Sequence, residues 1–225
     1  MEWTAIQLSL RVATVATLVA TPLGIATAWL LARRDFWGRS ALDAAIHLPL
    51  VLPPVVTGYL LLLTFGRRGL VGAWLADHLG IVFAFRWTGA ALACGIMAFP
   101  LLVRPIRLSI EAVDLRLEQA AATLGAEPWR VFLTVTLPLA LPGVLAGMVL
   151  GFAKAIGEFG ATITFVSNIP GETQTISSAI YSLIQTPEGD TAALRLVAVS
   201  IVIALAALIG SEWFARRALR RLHGN

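Results

Sequence analysis

Lys154 and Glu158 stand four residues apart inside an otherwise apolar run, LGFAKAIGEFGATITFV. At that spacing they share one helix face and can pair. An ion pair at membrane depth is a candidate for handling a substrate or a coupling ion. A pair that closes the outer end of a helix is the plainer reading, and the residues alone leave both open. Gly157 and Gly160 follow, where helix propensity falls by about 1 kcal/mol per glycine, so a helix break is expected there. Beyond it the sequence supplies Thr162, Thr164, Ser167 and Asn168 ahead of a Pro-Gly turn. Hydroxyls and freed backbone N–H groups at a helix break suit a desolvating oxyanion.

Other chemistry has little support. There is no G-x-x-x-x-G-K-[ST], and the chain's single lysine, Lys154, follows Ala153, so no P-loop can cradle a nucleotide phosphate here. No His, Cys, Asp and Glu cluster has metal-ligand spacing, and no nucleophile stands with a base. His78 beside Asp77 is better read as a surface pair than as a metal or proton site. Cys94 lies in an apolar run and, as the single cysteine, excludes an intrachain disulfide. The chain is expected to be a non-enzyme that binds no metal and no cofactor.

These residues need elements to hold them, and composition says what kind. Of the 225 residues 58% are hydrophobic and 13% charged, and the mean hydropathy is +0.82. A water-exposed surface needs about 25% charged residues, so an integral membrane protein is indicated. The net charge of +4 fits arginines at membrane ends rather than nucleic-acid binding. Uncharged runs occur at Val12–Ala32, Ala44–Gly66, Trp87–Val103, Val131–Ala153 and Leu196–Ser211. They predict five spans at about 10–33, 44–66, 87–108, 137–160 and 193–214, in one transmembrane domain covering 1–225, with a polar loop at about 109–136. The first run is read as a retained span, and the short lead before Val12 as too short for an additional one.

Arginine placement sets the expected orientation. With the N-terminus outside and the C-terminus inside, the inner segments carry Arg33, Arg34, Arg39, Arg104, Arg107, Arg116, Arg130, Arg216, Arg217, Arg220 and Arg221, eleven of the 17 basic residues. Prolines interrupt several spans, most densely in PLVLPP at 49–54, which is either a functional kink or an ordinary bend. Gly143, Gly147 and Gly151 at four-residue spacing give a flat strip for close helix packing. The segment 66–87, with Trp74 and Trp87, is expected to lie at the outer interface.

The polar loop contains EQAAATLGAEPWRVFLTVTLPLALPG, from Glu118 to Gly143. It resembles the EAA loop of bacterial binding-protein-dependent ABC importer permeases: E-A-A, three residues, Gly, nine residues, Ile, one residue, Leu-Pro. Here the pattern falls on Gln119, Ala120 and Ala121, then Gly125, Val135 and Leu137-Pro138. Gln119 stands where glutamate is usual, with Glu118 just before it, and Val135 replaces isoleucine. HLPLVLPPVV, GRRGLVG, EFGATITFVSNIPGETQTI and YSLIQTP extend the resemblance, over nearly the whole chain, to the permease subunits of molybdate importers; GEFG is shared with sulfate/thiosulfate permeases.

The resemblance implies an all-α, polytopic helical bundle of type I ABC importer permease (MetI-like) architecture in the bacterial cytoplasmic (inner) membrane. It implies a molybdate importer subunit that forms a passage with a second copy of itself. Two ATP-binding cassette ATPase subunits would sit inside, carrying ATP-Mg, and a periplasmic or extracellular molybdate-binding protein outside. The ATPases would grip the loop at Glu118, Gln119, Ala120, Ala121, Gly125, Ala126, Pro128 and Trp129. Small residues allow close approach, and Trp129 beside Pro128 supplies an anchor. Lys154, Glu158, Thr162, Thr164, Ser167 and Asn168 are expected on or near the passage or its outer gate. A sulfate, thiosulfate or tungstate importer is the same machine with another oxyanion. A self-sufficient secondary transporter or channel is a different class, which would move substrate without ATP.

Overall fold

The computed structural model describes residues 2–222, and its regular elements are helices. The end of the arginine-bearing C-terminal segment, 223–225, lies outside the described residues. In chain order the helices are α1 (Glu2–Arg33), α2 (Arg39–Val51), α3 (Pro54–Phe65), α4 (Leu70–Leu79), α5 (Trp87–Glu111) and α6 (Leu115–Thr123). Then come α7 (Pro128–Val131), a π turn (Phe132–Thr136), α8 (Leu137–Ile156), α9 (Gly160–Val166), α10 (Ile176–Leu183) and α11 (Asp190–Leu222). Among the described residues four helical stretches are each long and apolar enough to cross a membrane: Glu2–Arg33, Trp87–Glu111, Pro128–Ile156 and Asp190–Ala207.

The run expected to form one span at 44–66 does not form one straight helix. The helix direction turns by 115° between its two halves, α2 and α3. The cause is local. Pro53 and Pro54 lack N–H donors, and a residue before proline is pushed out of the helical region. Leu52 accordingly has φ −72° and ψ 142°, while Pro54 begins α3 at the first position, where proline is tolerated. At 13 and 12 residues the halves are about 20 and 18 Å long, each too short for a hydrocarbon core of about 30 Å.

α5 is the central helix, packed along α1 on one side and α8 on the other. Leu31, Leu102, Val103, Ile106 and Ile110 are fully buried between them. The glycine strip of α8 faces α5. A Cβ at Gly143 would lie 2.3 Å from the Ser109 Cβ, and one at Gly147 would lie 2.6 Å from the Leu102 carbonyl oxygen. At Gly151 the nearest atom would be at 3.5 Å, an ordinary contact. Only the first two positions therefore require the missing side chain.

α8 stops at Ile156 and the chain resumes as α9 at Gly160, which places a break where the glycines predict one. α9 does not prolong α8. It packs against α3, where a Cβ on Gly58 would lie 2.5 Å from the Ala161 carbonyl oxygen. α10 is tied to the start of the chain, since the Ser9 hydroxyl oxygen accepts the Ile176 N–H at 2.7 Å.

Candidate functional site

Two places in this fold gather the residues singled out by sequence. The first is the corner between α5 and α8. Asp114 opens α6 as its N-cap, accepting the Arg116 N–H at 2.9 Å, and none of the nine side chains of α6 is fully buried. The helix ends in paired bonds from Gly125 N–H to the Ala122 carbonyl (3.0 Å) and from Ala126 N–H to the Ala121 carbonyl (3.2 Å). That is a Schellman ending, which needs a left-handed residue. Gly125 supplies it at φ +88°, with nothing within 4 Å of where a Cβ would stand. Pro128 then starts α7 at its first turn.

The corner so built projects apolar surface. Leu124 is 89% exposed and Trp129 56%. The Trp129 indole N–H donates to the Glu127 carboxylate, and the Arg130 guanidinium lies 5.2 Å from its ring centroid. Gln119, Ala120, Gly125 and Pro128 are exposed; Ala121 and Ala126 are half-buried.

Glu118 points the other way. Its Oε1 accepts from Arg33 Nη2 at 2.8 Å, from Arg33 Nε at 3.2 Å and from the Thr136 hydroxyl at 2.9 Å. Arg33 Nη2 also donates to the Val113 carbonyl at 3.0 Å. The two charged side chains are 12% (Arg33) and 19% (Glu118) exposed. The charge that stands beside Gln119 in sequence is therefore engaged inside the chain.

The second place is the break between α8 and α9. Lys154 Nζ lies 2.9 Å from Glu158 Oε2, out of line for a hydrogen bond, with the side chains 29% and 1% exposed. Glu158 Oε1 accepts the Ala161 N–H at 3.0 Å and so occupies the first turn of α9. The Thr162 hydroxyl donates to the Phe159 carbonyl (2.9 Å) and that of Thr164 to the Gly160 carbonyl (2.8 Å). The Thr162 and Thr164 hydroxyls and the Ala161 N–H, among the donors expected to be free for an oxyanion at this break, are engaged within the chain. Ser167, exposed at φ +65°, ends α9. Asn168 Nδ2 donates to the Ser182 hydroxyl at 2.6 Å, while its Oδ1 is buried without a partner.

The six candidates between 154 and 168 thus run from the end of α8 across the break and through α9, whereas the loop residues divide into an outward corner and the inward Glu118. His78 stacks on Trp74 with ring centroids 5.0 Å apart. Sequence reasoning missed Arg33, Thr136 and Ser182. Arg33 had a signal as the first charge after an apolar run, but nothing local names a partner 85 residues away.

A family model described as "Binding-protein-dependent transport system inner membrane component" matches residues 20–220. The molybdenum transport system permease protein ModB of Escherichia coli (strain K12) is 61% identical over 215 residues, covering 96% of this chain and 94% of that protein. The protein of the same name from Haemophilus influenzae is 58% identical, covering 99% of this chain and 97% of its own length. Among solved structures, a bacterial ABC transporter that imports the acidic polysaccharide alginate has a chain that superposes with a TM-score of 0.74 at 21% identity. That match covers 95% of this chain and 78% of the other and shows the likeness of fold.

Proposed function

The chain belongs to the binding-protein-dependent transport system inner membrane component family, and from that premise we propose that it is the permease subunit of an ATP-driven molybdate importer. Two copies form the passage, separate ATPases drive it from the cytoplasm with ATP-Mg, and an external molybdate-binding protein delivers the substrate. The observation that carries the substrate is the 61% identity to a molybdenum permease across 96% of the chain. In this reading the N-terminus is outside and the corner at 115–129 is cytoplasmic.

The geometry of both places suits that division of labour. Leu124 and Trp129 are exposed apolar anchors on a small-residue corner, suited to a groove in a partner protein. At the α8–α9 break, Lys154 is neutralised by Glu158, and the hydroxyls of Thr162 and Thr164 already have acceptors. A dianion therefore meets a paired lysine and two threonine hydroxyls that are already committed. Passage requires contacts weak enough to release the ion, so tight selection is left to the external binding protein.

Leu124→Asp tests the docking half of this reading, because a position 89% exposed tolerates the change without unfolding. The expected result is a chain that reaches the membrane but no longer co-purifies with its ATPase or supports uptake. Unchanged co-purification and uptake would refute the docking role. For the substrate half, radiolabelled molybdate uptake should be displaced by excess unlabelled molybdate well before sulfate. Stronger displacement by sulfate would reassign the oxyanion.

A further inference from the structure

We propose that Glu118 is a positioning residue that carries motion from the loop into the bundle, and that it makes no contact with the ATPase. The inference rests on the docking role proposed for the α6–α7 corner and adds how a push there reaches the helices.

α6 has nine residues and no fully buried side chain. A helix that short has little stability of its own, so its place depends on what ties it down. Besides packing on the π turn and α7, the side-chain hydrogen-bonded tie of α6 to other elements among the described residues is one carboxylate oxygen, Glu118 Oε1, which takes three donors from two of them. Arg33 is the last residue of α1, where a cation is also favoured by the helix dipole. Its guanidinium reaches the Val113 carbonyl, just past the end of α5. Thr136, buried, is the last residue of the π turn that leads into α8. The three helices that make up the centre of the bundle therefore converge, through Arg33 and Thr136, on Glu118.

The π turn strengthens the assignment. Such turns are rare within helices and are often found at functional positions. This one is touched twice from α1: by Arg33 through Glu118, and by Trp29, whose ring stands edge-on to Phe132 at 6.0 Å. A displacement of α6 would pull on α1 and α8 together, at a point where the helix into α8 already carries a wide turn.

The test uses the complete transporter, with its ATPase and binding protein, in proteoliposomes, and reads two quantities: the ATPase that co-purifies, and molybdate taken up per ATP hydrolysed. Glu118→Gln keeps the shape and removes the charge. It should leave ATPase association within about twofold and lower uptake per ATP on the order of tenfold, the usual size of a coupling between sites. Thr136→Val, which removes one donor at nearly constant volume, should act in the same direction with a smaller effect, and it serves if Glu118→Gln is poorly folded. The reversal Arg33→Glu with Glu118→Arg should recover uptake per ATP over either single change while membrane yield and ATPase association stay level across all three, whereas a merely structural role would move yield and uptake together.

Loss of ATPase association in Glu118→Gln would make Glu118 a docking contact and overturn the proposal. Normal uptake per ATP in Glu118→Gln and Thr136→Val would do the same. An unchanged phenotype in Leu124→Asp is a separate failure, because it removes the docking role itself.

Discussion

Glu118 and Glu158 are both carboxylates held beside a basic side chain at the end of a helical segment, yet they organise the chain differently. Glu158 works locally. Its cation is four residues back and its N–H partner three residues on. Glu118 works at long range, joining α6 to an arginine 85 residues away and a threonine 18 residues on. The first makes a helix break self-sufficient, so that α9 can pack on α3 with its opening turn occupied. The second leaves α6 almost wholly exposed while fixing it to three central helices. On the proposed function, local closure would keep the surface near the ion's path quiet, and the distant tie would carry force from the loop.

Breaking the local closure should have the largest effect on stability. Glu158→Ala leaves Lys154 without its counter-charge and orphans the Ala161 N–H, so a loss of about 3–5 kcal/mol is expected, read as thermal stability in detergent. The distant tie should matter less for stability. Glu118→Ala should cost about 2 kcal/mol, within the range for hydrogen bonds to charged groups, and a cycle with Arg33→Ala should show strong non-additivity. A cycle in which the two changes simply add would show that the pair is idle.

Smaller effects belong to the outward corner. Gly125→Ala should cost about 1–2 kcal/mol from the left-handed backbone alone, since there is room for the methyl group. Gly125→Asn should cost less, because asparagine visits that region more readily. Gln119→Glu should shift stability by less than about 0.5 kcal/mol, being exposed. Its use is to sharpen the comparison. If the corner grips by shape, ATPase association stays flat; a clear gain would mean that the family's usual glutamate adds a charge contact.

What was legible in the sequence follows from the range of each signal. Apolar runs mark the long helices, because membrane depth demands an uninterrupted stretch. Gly157 and Gly160 mark the break, and Gly143 and Gly147 mark the α5–α8 contact, since these are local effects. PLVLPP announces a kink, but the 115° turn that divides the expected second span depends on how both halves pack. The hydroxyls of Thr162 and Thr164 suggest free donors, yet within a helical turn they bond back to carbonyls three and four residues earlier. The inward turn of Glu118 was illegible. On a short, exposed helix no apolar stripe says which way a carboxylate faces, and its partner lies on α1.

The central claim is that this chain is a passage worked by an external motor. Molybdate uptake into proteoliposomes, measured for the chain alone and for the chain with its ATPase and binding protein, tests it most directly. Uptake is expected only when both partners and ATP are present, and none from the chain alone. ATP-independent uptake by the chain alone would contradict the claim and restore the secondary transporter or channel.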